Sequence, residues 1–329
     1  MLCVQHIIID SDEGGMRFDR WFRIHYPHIS FGNLQKLLRS GQIRLDKGRI
    51  KSNDRVQPGQ IVRIPPVICA TSATQGSRFD QSKNYSDSSE FLKRILLYEN
   101  SKIYVFNKPP GIPVQGGSGI TRHIDGMLES WTNLKGEKPR LIHRLDRETS
   151  GILIVARTRA AAQSLTESFR MRRVRKVYWS LVKGIPKQSE GRLSSWLMKS
   201  RQAGGDYVKV VEQNEDGANH AISCYKVIDT FEQQFCWLEM QPHTGRTHQL
   251  RVQALQMGHP IIGDKKYYIE DHDDNFLNNI PNQLHLHARY IDFPYPEGGR
   301  LQMTAPLPSH MAKTWDLCGF KYGTDMPVE

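Results

Sequence analysis

Between residues 67 and 91 the hydrophobic pattern of this chain stops. Thr71-Ser-Ala-Thr-Gln-Gly-Ser77 and Gln81-Ser-Lys-Asn-Tyr-Ser-Asp-Ser-Ser89 are polar, rich in Ser, Thr and Gln, and without period. Such a composition cannot bury enough apolar surface to offset its ordering entropy, so a flexible linker is expected over 67–91. One continuous core is thereby excluded. The 329 residues divide into a small module, 1–66, and a larger domain, 92–329, in keeping with about 150 residues per domain.

The module carries local signals of two helices and short strands. Phe18, Trp21 and Phe22 fall at helical spacing with Arg17, Arg20 and Arg23 between them. Ser30 is placed to cap a second helix whose apolar stripe is Phe31, Leu34, Leu37 and Leu38, with Gly41 just past its end. Lys36 and Arg39, three apart, share another face of that helix. Asp46-Lys47-Gly48 marks a turn between two short strands, and Gln57-Pro58-Gly59 another before a strand at Ile61–Ile64.

Charge narrows the class of partner. The whole chain has 45 Lys and Arg against 34 Asp and Glu, a net charge of +11. The first 66 residues alone hold eleven Lys and Arg against six acids. A surplus of this sign suits a polyanion, because each neutralised phosphate releases counterions, although a basic module is also simply a solvated face. No apolar run approaches the 18 residues of a membrane span, and Asp10, Asp12 and Glu13 argue against a secretion signal. Five scattered cysteines without a CxxC offer neither a disulfide framework nor a thiolate zinc site, so a cytoplasmic location is expected.

From Ile95 onward strands dominate. They are expected at 103–106, 151–156, 178–182, 221–227, 235–240 and 285–293, with helices at 159–171 and 246–257. The irregular alternation predicts an α+β domain on a mixed or antiparallel sheet, without repeating βαβ units. Known chemical motifs are scarce. Gln115-Gly-Gly-Ser-Gly119 lacks the lysine and spacing of a phosphate loop. Asp271, Asp273, Asp274 and Asn275 lack the glycine and closing glutamate of a calcium loop, and His285 and His287 share a strand face without a third ligand. Neither group is assigned a metal. What stands out is His143-Arg144-Leu145-Asp146-Arg147-Glu148-Thr149-Ser150-Gly151 before the strand Ile152–Val155. A turn there presents Asp146 at the rim of the sheet, where a carboxylate can serve as nucleophile or base; a salt-bridged structural turn fits the same residues.

The series of motifs carries a resemblance. HRLDRETSG resembles the HRLDxxTSG signature of the RluA family of pseudouridine synthases. Asn107-Lys-Pro-Pro-Gly-Ile-Pro-Val114, Arg175-Lys-Val-Tyr178, His243-Thr-Gly-Arg-Thr-His-Gln-Leu-Arg-Val252, Gly258-His-Pro-Ile-Ile-Gly-Asp264, Leu286–Tyr290 and Ala305–Pro308 resemble its further motifs, in the family's order over about 95–310. The module resembles the S4 RNA-binding domain, a small α/β fold. Joined to this catalytic domain, with Arg63-Ile-Pro-Pro66 leading into the linker, it is similar to the C type of the bacterial synthases acting on large-subunit ribosomal RNA.

The resemblance implies an isomerase of uridine in RNA that uses no metal and no organic cofactor and acts on large-subunit ribosomal RNA or a pre-ribosomal particle; nothing in the sequence demands a partner chain, so a monomer is expected. It implies Asp146 as the essential acid, acting on base or ribose or as a base. Arg251 pairs with it, Tyr178 stacks on the target uracil, Leu250 forms the opposite apolar wall, and Arg144 fills the space of the flipped nucleotide. Gln253 stands where the family often has His. Lys36, Arg39, Arg172 and Arg173 are expected to meet RNA phosphates. A reading of another class, a non-catalytic RNA-binding ribosome-assembly factor, predicts that replacing Asp146 costs nothing. A third, a metal-dependent RNA hydrolase using His285, His287 and the Asp271 cluster, predicts sensitivity to chelators.

Overall fold

A computed structural model describes the chain except for residues 1–3, 11–12, 27–28, 67, 69–77, 118–119, 134–135, 203–204, 269–274, 296–297 and 324–329. It forms two compact units, Met1–Ser82 and Lys83–Glu329.

In the first unit, helix α1 (Phe18–His25) buries Phe18, Trp21 and Phe22, the aromatic positions picked out by period, and leaves its arginines in solvent. Helix α2 (Phe31–Arg39) starts where the Ser30 hydroxyl accepts the Asn33 N–H at 3.3 Å and buries Leu34 and Leu38. Phe31, expected in that stripe, is exposed: in the first turn it lies beyond the packed face. Strands β1 (Gln5–Ile8), β2 (Arg44–Leu45) and β3 (Ile61–Ile64) form an antiparallel sheet in the order β1-β3-β2. The β2 turn is closed by Asp46 and Lys47, both at positive φ, between paired Leu45 and Gly48.

The linker expected over 67–91 needs correction. Helix α3 (Arg78–Arg94) occupies its second half. No Gly or Pro interrupts those seventeen residues, and their C-terminal end is anchored by burial of Phe91 and Leu92 and by the Trp131 indole N–H donating to Ser89 Oγ at 2.9 Å. The division between units accordingly falls at Ser82–Lys83, inside the segment expected to be unstructured.

The second unit is built on one eleven-stranded sheet: β4 (Leu96–Glu99), β5 (Ile103–Lys108), β6 (Arg140–Leu141), β7 (Ser150–Ala156), β8 (Arg175–Lys183), β9 (Glu190–Gln202), β10 (Gly205–Val211), β11 (Asn219–Phe231), β12 (Phe235–Pro242), β13 (Leu286–Pro294) and β14 (Arg300–Thr304). The main path runs β10-β9-β11-β12-β8-β13-β7-β5-β4, with β6 beside β7 and β14 beside β13. All pairings are antiparallel except β13–β7, so the sheet is mixed, as expected of the α+β class. Helices α4 (Ile124–Met127), α5 (Arg159–Arg170), α6 (Gln249–Gln256), α7 (Asn275–Asn279) and α8 (Ser309–Leu317) complete it.

The parallel seam positions the site. Ser150 and Gly151 open β7 opposite His287 and Ala288 of β13. At Gly151, φ is +107° and a Cβ would stand 2.3 Å from the Ala288 carbonyl oxygen, so only glycine lets the two backbones approach. His287 Nδ1 and Ser150 Oγ lie 2.9 Å apart across the seam, and His285 shares hydrogen bonds with Thr314 and the Gln283 carbonyl. Both histidines are fully buried and serve packing. Among the described residues, no group of three or more His, Cys, Asp or Glu is placed to hold a metal ion. The Asp271, Asp273 and Asp274 cluster lies outside the described residues.

Candidate active site

The turn His143–Thr149 enters β7, and each end of it is tied down. His143 Nε2 accepts the Ile154 N–H at 2.9 Å while its ring stacks on Phe169 at 4.7 Å. Burial, with the nearby Lys176 charge, pushes the His143 pKa down to about 3 and keeps the ring a neutral acceptor. Beneath the turn the fully buried Lys108 ammonium donates to the carbonyls of Pro109, Ile112 and Arg147 at 2.9, 2.9 and 3.0 Å. Burial pulls its pKa down to about 7, but three carbonyl acceptors match the three protons of the charged form, which the geometry favours. Gly111 N–H also donates to Arg147 O, and Thr149 N–H closes the turn on Asp146 O at 3.2 Å. Leu145 points into the apolar core, which leaves Asp146 facing the other way.

Asp146 is partly open, its side chain 23% exposed. Oδ2 lies 3.7 Å from Arg251 Nη1 and 3.9 Å from His248 Nε2. Arg251, in the first turn of α6, is buried and forms a two-pronged pair with buried Asp264: Nε donates to Oδ2 at 2.7 Å and Nη2 to Oδ1 at 2.6 Å. Only its remaining nitrogen faces Asp146. The guanidinium is thus held in place by one carboxylate and offered to another.

The walls come from β8 and α6. Tyr178, paired through its backbone with Ala288 and Met240, packs in the same apolar cluster as Leu250. Burial, and secondarily the Asp146 charge, raises the Tyr178 hydroxyl above the usual tyrosine range, so it stays protonated. Asp146, Tyr178, Leu250 and Arg251 line a cleft of about 640 Å³, large enough for an extruded nucleotide. Its mouth is cationic. Arg144 reaches across it to Thr247 Oγ1 at 3.3 Å, Arg172 stands at the rim in a left-handed conformation, and half-buried Lys176 has its pKa lowered to about 8 by burial and by Arg172.

Residues 102–256 match the RNA pseudouridylate synthase family model. Over 314 residues the chain is 33% identical to the Yersinia pestis ribosomal large subunit pseudouridine synthase C, covering 94% of this chain and 93% of the relative. With the Haemophilus influenzae protein of the same name the identity is 34% over 312 residues, with the same coverage. Among solved structures, human RNA pseudouridylate synthase domain containing 4 aligns with a TM-score of 0.61 at 27% identity, over 72% of this chain and 97% of that one. The chain belongs to the RNA pseudouridylate synthase family. It is therefore an isomerase that converts uridine to pseudouridine in RNA.

Of the residues singled out in the sequence, Asp146, Tyr178, Arg251, Arg144, Leu250 and Arg172 are brought to this one cleft of the synthase. Arg173 does not line it; its side chain is exposed and its carbonyl accepts from Arg300 at 3.2 Å. Lys36 and Arg39 belong to the first unit, where both are exposed. Sequence reasoning gave no role to Asp264, His248, Tyr267 or Lys108. Asp264, His248 and Lys108 sit within motifs already noticed, so position in a motif was their only signal. Tyr267 has none, being brought to His248 by folding alone.

Proposed function

We propose that this synthase isomerises specific uridines of large-subunit ribosomal RNA, with Asp146 as the essential carboxylate and without metal or organic cofactor. The observation that carries the reading is the placement of Asp146 Oδ2 3.7 Å from a guanidinium nitrogen already fixed by a second carboxylate, at the floor of a nucleotide-sized cleft. The reaction breaks the C1′–N1 bond, turns the uracil, and joins C5 to C1′; N1 gains a proton and C5 loses one, so no electrons are exchanged with another reagent.

Each residue then has a task. Asp146 faces the reacting ribose and base, and Arg251 orients it. Tyr178 and Leu250 sandwich the uracil while it is detached. The Tyr178 hydroxyl, which stays protonated, relays the C5 proton: it passes its own proton toward N1 as it accepts the one from C5, so the net change is C5–H lost and N1–H gained and the tyrosine ends as it began. Arg144 fills the gap left by the extruded nucleotide, whose unstacking costs a few kcal/mol, and Arg172 and Lys176 meet flanking phosphates. The exposed Lys36 and Arg39 of the S4-like unit add affinity for the RNA backbone. The names borne by its bacterial relatives support the ribosomal target.

The decisive experiment is tritium release from large-subunit ribosomal RNA labelled at uridine C5, with chelator present throughout. Release by the native protein and none by Asp146→Asn, with RNA binding retained by both, is the expected result. Equal release by the two proteins would remove Asp146 from the mechanism.

A further inference from the structure

His248 stands outside the roles assigned so far, yet its backbone and side chain are both unusual. It precedes α6 in the left-handed region, with φ 53° and ψ 19°, a conformation that costs a non-glycine residue of order 1 kcal/mol. Helix starts normally recruit a side chain to cap the first N–H groups, but His248 caps nothing. Its imidazole is instead held, 11% exposed, between two specific partners. Nδ1 lies 2.7 Å from the Tyr267 hydroxyl, and Nε2 lies 3.9 Å from Asp146 Oδ2.

The tautomer follows from the third member of the chain. The Tyr267 oxygen accepts the Val208 N–H of strand β10 at 3.0 Å. With that acceptance made, donation of the hydroxyl proton to His248 Nδ1 is the arrangement that uses every donor and acceptor of the chain, and it places the ring proton on Nε2, facing the carboxylate. Arg251 Nη1 addresses the same Asp146 oxygen. Both nitrogens face Oδ2, each just beyond hydrogen-bond distance.

We propose that His248, oriented by Tyr267, is a positioning residue for Asp146: its Nε2–H and Arg251 together hold Oδ2, so that Oδ1 is the oxygen presented to the uridine. This rests on Asp146 being the essential carboxylate. At 3.9 Å the contact is open by about 1 Å, the looseness expected of a site that tightens around its substrate. Neutrality of the ring is consistent with its surroundings. Burial, with the Arg251 and Lys266 charges, pushes the His248 pKa down to about 4 against the opposing pull of Asp146 and Asp264. The edge strand β10 enters the same chain, because moving Val208 away frees the Tyr267 hydroxyl to turn and the tautomer with it.

Single-turnover tritium release at saturating RNA, together with RNA affinity, tests this in the full-length protein. His248→Ala should lose about 10- to 100-fold in the rate constant with affinity changed less than twofold, whereas His248→Gln, whose amide can reach the Nε2 position, should recover most of the rate. Selective ¹⁵N-histidine spectra of the native protein at pH 7.5 should show His248, assigned by its loss in His248→Gln, as the Nε2–H form. Tyr267→Phe should convert it to a mixture and slow turnover. A native Nδ1–H or doubly protonated ring overturns the proposal, as does a His248→Ala rate within twofold of native. If His248→Ala fails to fold, the spectra and Tyr267→Phe still decide. Asp146→Asn, run alongside, separates the two ideas: if it is inactive while His248→Ala is fully active, only the role of His248 fails.

Discussion

Two aspartates share one arginine in this molecule, and they are treated oppositely by the fold. Asp264 is 2% exposed; it receives two prongs of the Arg251 guanidinium and the backbone N–H groups of Lys266 and Tyr267 at 3.0 and 3.2 Å. Its lone pairs are spent within the protein. Asp146 meets the third nitrogen of the same guanidinium at 3.7 Å, accepts no side-chain hydrogen bond from the described residues, and opens onto the cleft. A carboxylate surrounded by donors is a structural element, and one with a nearby cation but unfilled lone pairs is poised for an outside partner. The difference lies in the turns that carry them, because both side chains have the same chemistry.

The sharpest way to break this contrast is to neutralise each acid in turn. Asp146→Asn should lower the rate of pseudouridine formation by at least about 10³-fold while leaving the urea unfolding midpoint within error. Asp264→Asn should do the reverse in order of severity: a loss of about 3 kcal/mol in unfolding free energy, from leaving Arg251 half-paired inside the protein, with activity falling as a consequence. Should Asp146→Asn prove the more destabilising of the two, the division of labour collapses.

Histidines extend the same contrast to pH. His285 and His287 are fully buried, and burial pushes both pKa values down to about 3, with opposing hydrogen bonds and adding neighbouring charges as smaller effects. A pKa lowered in the fold means that the neutral ring is the one the fold accommodates. Stability from this source is whole above the unfolded value of about 6.5 and falls as pH drops toward 3. Each should remove about 2 kcal/mol between pH 7.5 and pH 5, seen as a steep fall in melting temperature before carboxylates begin to protonate. Replacing His287 by Gln should flatten that fall.

The smallest effect belongs to the first unit. Lys36→Ala with Arg39→Ala should weaken RNA binding by about fivefold and lower the salt slope by about one for each phosphate no longer neutralised, with the rate at saturating RNA unchanged. A change in the saturated rate would mean that these exposed cations do more than hold RNA.

Much of this was legible beforehand, for identifiable reasons. Phe18, Trp21 and Phe22 at helical spacing, and the continuous apolar run Ile152–Val155, announce their elements because each has a buried face with the matching period. The turn bearing Asp146 was visible because its flanks are distinctive. Strands β9 and β10 were not expected: Glu190–Gln202 mixes charged and polar residues throughout, and its pairing depends on β11, nearly thirty residues away. Helix α3 was hidden by composition, since its polar residues say nothing of the docking of Phe91 and Leu92. Helix α6 begins at Gln249, not Arg246, because His248 takes a left-handed backbone that no periodicity encodes. Arg251 was found but its firmer partner was not, because a pairing across thirteen residues is a property of the folded turn.

Strand order has a consequence for the making of the enzyme. Asp146 and Tyr178 are only 32 positions apart along the chain, but β13 lies between β7 and β8 in the sheet. That intervening strand, Leu286–Pro294, is translated more than a hundred residues after both. A nascent polypeptide that has emerged as far as Arg251 already has every proposed catalytic group but lacks the spacer that sets them at working distance. The working distance between Asp146 and Tyr178 is therefore set only once Leu286–Pro294 has been made and has slotted between the two strands that carry them.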